Sequence, residues 1–308
     1  MKNIIKRIAR PVANLFVRAS SSLSERIDWR VEEVFQRNLF DATNLKGVFV
    51  PIDDEASSHI LLKRHFNSLG QDETGFPIPL DLGGGATSLL ERGEHDALKI
   101  RRSLFEKAGT GGRRFLEFGC GTGRLLRWFR DLAESNEFWG VDLCEKYIKW
   151  LQQEFSPPFR FAACTTQPNL PFEDNYFDAV YAGSVFTHIY DLADTWYLEL
   201  RRITKPGGLI LITVHDDVTI RSLMNESPPS QLAAQLRQFD LETGVLKKEF
   251  NMFTISRRPQ GAQVFHNREY LSRHLASFFD VLEWRDNQYG IQSSVLLRKP
   301  EATPPPRF

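Results

Sequence analysis

The chain has 308 residues, 42% of them hydrophobic, enough to bury the core of one large domain or of a domain with an attachment. Lysine plus arginine and aspartate plus glutamate both number 39, so no overall field marks nucleic acid as the partner. Cys120, Cys144 and Cys164 form no CxxC pair and are odd in number, which fits a reducing cytoplasm, and no apolar run approaches the ~20 residues of a membrane span.

Residues 1–18 carry Lys2, Lys6, Arg7, Arg10 and Arg18 with no acid, and Ile4, Ile8, Val12 and Leu15 recur at helical spacing. The plain reading is a terminal helix packed on the body. The same pattern suits a helix in peripheral contact with an anionic membrane or, being Arg-rich and acid-poor, an organelle presequence. A second helix is expected from a Ser24 cap, with Ile27, Val31, Val34 and Phe35 on one face. Residues 41–95 read as irregular, punctuated by "TGFPIPLDLGGGATS". A helix is expected from Glu94 to Lys107, then a "GTGG" hinge at 109–112.

From residue 113 short apolar runs at 114–118, 138–142, 159–164, 177–182 and 208–214 alternate with helical stretches at 123–134, 145–155 and 191–204. Strand and helix in alternation predict an α/β fold, a doubly wound parallel sheet with helices on both faces. "FFDVLEWRDNQ" and "GIQSSVLLRKP" read as two further strands joined at Tyr289–Gly290, an antiparallel hairpin that ends a seven-stranded sheet. The expected organisation is a helical and irregular extension over 1–93, a ligand-binding domain over 94–299 and a disordered tail over 300–308.

The stretch "FLEFGCGTGRLLRWF" narrows the ligand. Gly119, Gly121 and Gly123 form GxGxG, whereas a dinucleotide fingerprint needs its third glycine where Arg124 stands, and no GK[ST] follows to make a phosphate loop. Glu117 before the turn attracts an ammonium and repels a pyrophosphate. Asp142, ending "FWGVDL", lies 23 residues past Gly119, where a carboxylate can accept from both ribose hydroxyls. Ribose with an ammonium describes S-adenosylmethionine.

Residues 113–215 resemble a class I S-adenosylmethionine-dependent methyltransferase, a Rossmann-like fold. "LEFGCGTGR" is similar to that family's first motif, "GVDL" to its second-strand acid, "LPFEDNYFDAVYAGSVFTHI" to its fourth-strand region and "RRITKPGGLILITVH" to its fifth. The resemblance implies cofactor-binding positions at Glu117, Gly119, Cys120, Gly121, Gly123, Asp142, Leu143, Thr165 and Ser184. Glu117 would meet the methionine amino group, Gly119 and Gly121 would pass beneath the methionine, Asp142 would hold the ribose and Leu143 would lie against adenine. The family's usual acid after the third strand is missing from "AACTTQPNL", so Thr165 or a backbone carbonyl stands in.

Positioning can do most of the work of methyl transfer, and a hydroxyl acceptor also benefits from a general base. Candidates are His188 in "SVFTHI" and His215, with Asp216 beside it, in "TVHDD". His266 precedes an expected helix and reads as a capping or packing residue. The cysteines after the first three strands could gather zinc, but these positions surround the cofactor in the fold, so no metal is expected. Phe155, Phe159, Phe161, Phe172, Phe177 and Trp196 read as core.

The segment "YAGSVFTHIYDLADTWYLELRRITKPGGLILITVH" resembles a bacterial subgroup of glycan and secondary-metabolite assembly, implying a small-molecule or glycan acceptor. A nucleic-acid acceptor is disfavoured because no basic stripe with interleaved aromatics appears, and a nicotinamide oxidoreductase by the shifted glycine. A non-catalytic binding protein that keeps the fold remains open, as does the oligomeric state.

Overall fold

The computed structural model describes residues 68–79, 86–255 and 262–301. The expected helices within 1–18 and after Ser24, and most of the expected tail, lie outside them.

Two short strands, β1 (Ser68–Gln71) and β2 (Pro77–Pro79), pair antiparallel before helix α1 (Ala86–Ile100), which continues through a π turn, Arg101–Phe105, to Ala108. Then follow β3 (Arg114–Phe118), a 3₁₀ turn (Leu126–Phe129) leading into α2 (Arg130–Ala133), β4 (Glu137–Asp142), α3 (Glu145–Glu154), β5 (Arg160–Ala163) and β6 (Phe177–Ala182). The chain goes on with α4 (Ala193–Ile203), β7 (Thr204–Val214), α5 (Asp217–Asn225), α6 (Gln231–Thr243), β8 (Met252–Ile255), β9 (Gln263–His266), α7 (Arg268–Leu275), β10 (Asp280–Tyr289) and β11 (Gln292–Arg298).

Seven strands form one sheet in the order β10-β11-β7-β6-β3-β4-β5. The four ladders that join the five strands from β7 to β5 are parallel, and β11 joins β7 antiparallel with β10 outside it. The expected doubly wound sheet with its carboxyl-terminal hairpin is therefore the fold observed. The sheet order steps outward from β3 in both directions, which opens a crevice at the carboxyl ends of β3 and β6 where such sheets bind ligands. β6 is buried along its whole length, as a central parallel strand must be.

One face of the sheet is covered by α1, the 3₁₀ turn and α3, with Leu104, Phe105, Phe129, Leu151 and Phe155 in its core. The other is covered by α4 and α7, with Trp196, Leu200, Leu271 and Leu275 against β6 and β7. The five phenylalanines and Trp196 expected in the core are all buried there. A third apolar cluster, built on Leu223, Leu236, Phe253 and Phe265, belongs to the α5–β9 insertion.

Three local readings differ from the structure. Regular helix starts at Leu126 instead of 123, because Gly121 and Gly123 sit at φ +52 and +71, conformations that a right-handed helix excludes. α1 starts at Ala86, eight residues earlier than expected. The β1–β2 hairpin lies within a stretch read as irregular. Its turn is built by Asp72, whose carbonyl accepts from Gly75 N–H and whose carboxylate accepts from Thr74 N–H.

That hairpin is joined to the glycine turn by an ion pair. Arg127, fully buried, puts Nη1 2.6 Å from Asp72 Oδ2 and donates from Nε to the Gly123 carbonyl at 3.3 Å. Phe76 stacks on Phe155 with centroids 4.2 Å apart. Removing one partner of a buried pair strands the other charge, so Asp72→Ala is expected to lower unfolding stability by about 3 kcal/mol, whereas the double change Asp72→Ala with Arg127→Met loses less. Urea denaturation of the two variants measures this, and equal losses would remove the stranded charge as the cause.

Candidate functional site

The expected ligand residues converge at the carboxyl ends of β3 and β4. Glu117 stands one residue before the end of β3, in register with Gly140 and Tyr181, and is 3% exposed. The Tyr181 hydroxyl donates to its Oε2 at 3.0 Å. Burial pushes the Glu117 carboxyl up to about 8, against the Tyr181 bond and the nearby Arg124 guanidinium. It is thus a neutral acid at neutral pH until a cation arrives.

Each glycine of the turn has its own reason. A Cβ at Gly119 would run into the Val185 side chain, and one at Gly123 would meet Leu151 and Phe155 at 2.8–2.9 Å. At Gly121 nothing lies within 4 Å, so the backbone there borders open space. Gly119 and Cys120 N–H both donate to the Val141 carbonyl, at 2.8 and 3.0 Å, which fixes the turn against β4.

Asp142 ends β4 and accepts from Gly121 N–H at 2.7 Å and Cys144 N–H at 2.8 Å. Burial raises its carboxyl above the usual range, opposed by those amides. One carboxylate thereby ties both loops that border the open space, and lone pairs remain for a ligand. Leu143 is half-buried beside it. The Thr165 hydroxyl accepts from Gln167 N–H at 3.1 Å. Cys120 and Cys164 are buried with thiols pushed well up by burial, so they are inert packing groups; among the described residues no cluster suits a metal ion.

His188 and His215 also come together, across the ends of β6 and β7. β9 is laid over both ends: Val264 N–H donates to the Thr187 carbonyl and His266 N–H to the His215 carbonyl, at 2.8 and 2.9 Å. His188 is exposed, and its Nδ1 lies 2.8 Å from the Ala262 carbonyl. A carbonyl only accepts, so Nδ1 carries the hydrogen and the lone pair of the neutral ring is on Nε2. His215 is 2% exposed, its ring tilted 34° against Phe265 with centroids 5.0 Å apart, and its Nδ1 is unpartnered. Burial, then the His188 and His266 imidazoles, push it down to about 3. A ring pushed this low is a weak proton acceptor, which argues against His215 as the base.

Asp216 does not fit a base either. It is fully buried, caps α5 through Val218 and Thr219 N–H, and binds Arg268 Nε at 2.6 Å and Ser293 Oγ at 2.9 Å. His266 is buried, held down to about 4 by burial, and the cap of α7 is Asn267.

Ser184 follows β6 and hydrogen-bonds Gln292. Tyr181, Thr213, Tyr289 and Gln292 were missed by sequence reasoning; the first two sit inside apolar strand patterns that drew attention to packing alone. Tyr289 lies under the Arg124 guanidinium, 4.8 Å from its ring centroid, and Arg124 pairs with Asp96 at 3.0 Å.

Residues 116–212, which hold the glycine turn, Asp142 and β6, match the family model described as a methyltransferase domain. The chain carries a class I S-adenosylmethionine-dependent methyltransferase domain. The domain is similar to the fatty-acid O-methyltransferase of Mycolicibacterium smegmatis, 26% identical over 49% of this chain and 56% of that one. It is also similar to phthiotriol/phenolphthiotriol dimycocerosates methyltransferase 1 of Mycobacterium ulcerans, 31% identical over 33% of this chain and 37% of that one. The chain thus spans about half the length of the first relative and under two fifths of the second. A Burkholderia thailandensis 1,6-didemethyltoxoflavin-N1-methyltransferase superposes with a TM-score of 0.47 at 17% identity, over 67% of this chain and 79% of that one.

The cradle suits the cofactor of such a domain: open space at Gly121, the Asp142 carboxylate with lone pairs to spare, and the buried acid Glu117. An ammonium beside Glu117 lowers its pKa from about 8, so binding at pH 7 is expected to release close to one proton. Affinity should rise from pH 6 to 8 and then level off. Glu117→Gln should bind more weakly, without proton release. Its stability should also exceed that of the parent as pH rises from about 4.5 toward about 8, because the native acid keeps a proton there that the unfolded chain gives up. Calorimetry in buffers of different ionisation enthalpy reads the first effect, and binding without proton release would remove Glu117 from the ammonium site.

Proposed function

We propose that this protein transfers a methyl group from S-adenosylmethionine to a hydroxyl of a sugar, glycan precursor or other small metabolite, with His188 as general base. The observation that carries this reading is His188 itself, exposed beside the cofactor cradle with Nδ1 held on the Ala262 carbonyl.

S-adenosylmethionine supplies a methyl on a sulfonium, and the sulfur keeps the electron pair as the C–S bond breaks. The protein's own groups set the geometry. Glu117 holds the ammonium, Asp142 the ribose hydroxyls, the Gly119–Gly123 backbone passes close beneath, and Leu143 and Thr165 border the adenine. His188 Nε2 takes the hydroxyl proton as the oxygen attacks, a contribution of roughly 10²- to 10⁴-fold. The relatives differ in acceptor, one being named as a fatty-acid O-methyltransferase.

We place the protein in the cytoplasm, with peripheral contact to the inner membrane surface through residues 1–18. Loss of sedimentation with anionic liposomes on deleting those residues supports that contact, and unchanged sedimentation ends it. Methyl transfer from tritiated cofactor to a panel of methyl α-D-glucopyranoside, nucleotide sugars, catechol and oleic acid tests the acceptor class. Transfer to oleic acid alone would overturn the sugar reading, and cofactor binding without transfer to any acceptor would favour a binding protein.

A further inference from the structure

The peptide that leads from β6 to His188 is held by side chains from three strands. Ser184 lies at φ +59, in the left-handed region that L side chains seldom occupy. Its backbone N–H donates to Thr213 Oγ1 at 2.7 Å, the Thr213 hydroxyl donates to Gln292 Oε1 at 2.7 Å, and Gln292 Nε2 donates to Ser184 Oγ at 2.8 Å. The three bonds close a ring between the exit of β6, the end of β7 and the start of β11. On the neighbouring residue, a Cβ at Gly183 would meet the Tyr289 ring at 2.7 Å. The tip of the β10–β11 hairpin thus grips Gly183 and Ser184 together.

Just beyond, His188 N–H donates to the Val185 carbonyl at 2.9 Å and closes the next turn. The backbone conformation at Ser184 therefore sets where that turn, and the imidazole on it, begins. Unusual backbone at a ligand-facing strand end persists only where its surroundings over-determine it. An amide side chain is suited to the ring because it donates and accepts at once; leucine does neither and glutamate only accepts.

We propose that Gln292 is a positioning residue for methyl transfer, holding Ser184 in its left-handed conformation through the Thr213 ring and so presenting His188 to the acceptor. The inference rests on His188 acting as the base. Gln292 touches neither cofactor nor acceptor in this scheme.

The test compares Gln292→Leu, Gln292→Glu, Ser184→Gly and the double change Gln292→Leu with Ser184→Gly in the full chain. Transfer is measured to whichever of methyl α-D-glucopyranoside and catechol the parent protein methylates, with kcat expressed per cofactor-binding site. Gln292→Leu is expected to lower kcat tenfold or more while cofactor affinity stays within twofold, with Gln292→Glu in between. Hydrogen exchange at the Ser184 amide should speed up in the same order. In the Ser184→Gly background the leucine change should reduce kcat threefold or less, because glycine enters the left-handed region unaided. A tenfold loss that persists in that background would mean that Gln292 meets the acceptor itself, and an unchanged kcat per site would mean that it only supports the fold; either overturns the proposal. A parent protein that methylates neither compound, with exchange still faster in Gln292→Leu, would overturn the catalytic role and leave the backbone ring standing.

Discussion

Asp142→Ala should weaken S-adenosylmethionine binding at least a hundredfold. The carboxylate has two jobs that the alanine loses together. It accepts from Gly121 N–H at 2.7 Å and Cys144 N–H at 2.8 Å, so it fixes the two loops bordering the ligand space, and in the proposed reading its remaining lone pairs take the ribose hydroxyls. Hydrogen bonds to a charged group contribute about 1.5–3 kcal/mol each, and about 2.7 kcal/mol is already a hundredfold in affinity. Asp142→Asn keeps one accepting oxygen and should fall between. Titration calorimetry separates the three proteins, and parent-like affinity in the alanine variant would move the ribose elsewhere.

The second large effect is expected at His188. His188→Ala should reduce kcat by about 10²- to 10⁴-fold and leave cofactor affinity within a few-fold, because the imidazole acts on the acceptor proton only. His188→Gln is the sharper control, since its amide can still donate to the Ala262 carbonyl and keep β9 in place. The glutamine variant should be as slow as the alanine variant. If both variants keep kcat within a few-fold of the parent, no base is used and alignment alone carries the transfer.

Much of this architecture was legible because its signals are local. Five short apolar runs with helices between them can close only as a parallel sheet, and Glu117, the three glycines and Asp142 lie within 26 residues of chain. The β1–β2 hairpin escaped notice because strands of four and three residues, one bounded by prolines, carry almost no period-two pattern. The start of α1 was obscured by "LDLGGGATS", whose glycines read as a loop. The roles of the histidines were beyond local reading. His188 and His215 differ through Ala262 and Phe265, residues some 50 to 75 positions further on. Gln292 opens a strand whose first three residues are polar, with nothing to single it out, and only the fold brings it to Ser184.

The place of β11 in the sheet also ties the turn after β6 to a distant part of the chain. The strand slots between β7 and the outermost β10, yet it follows every other described strand in sequence, and it brings Gln292 to a turn about a hundred residues earlier. A nascent chain halted before Arg298 would hold the glycine turn and Asp142 without the clasp on Ser184. On the roles proposed for Asp142 and Gln292, the residues for the donor precede in sequence the strand that completes the acceptor side.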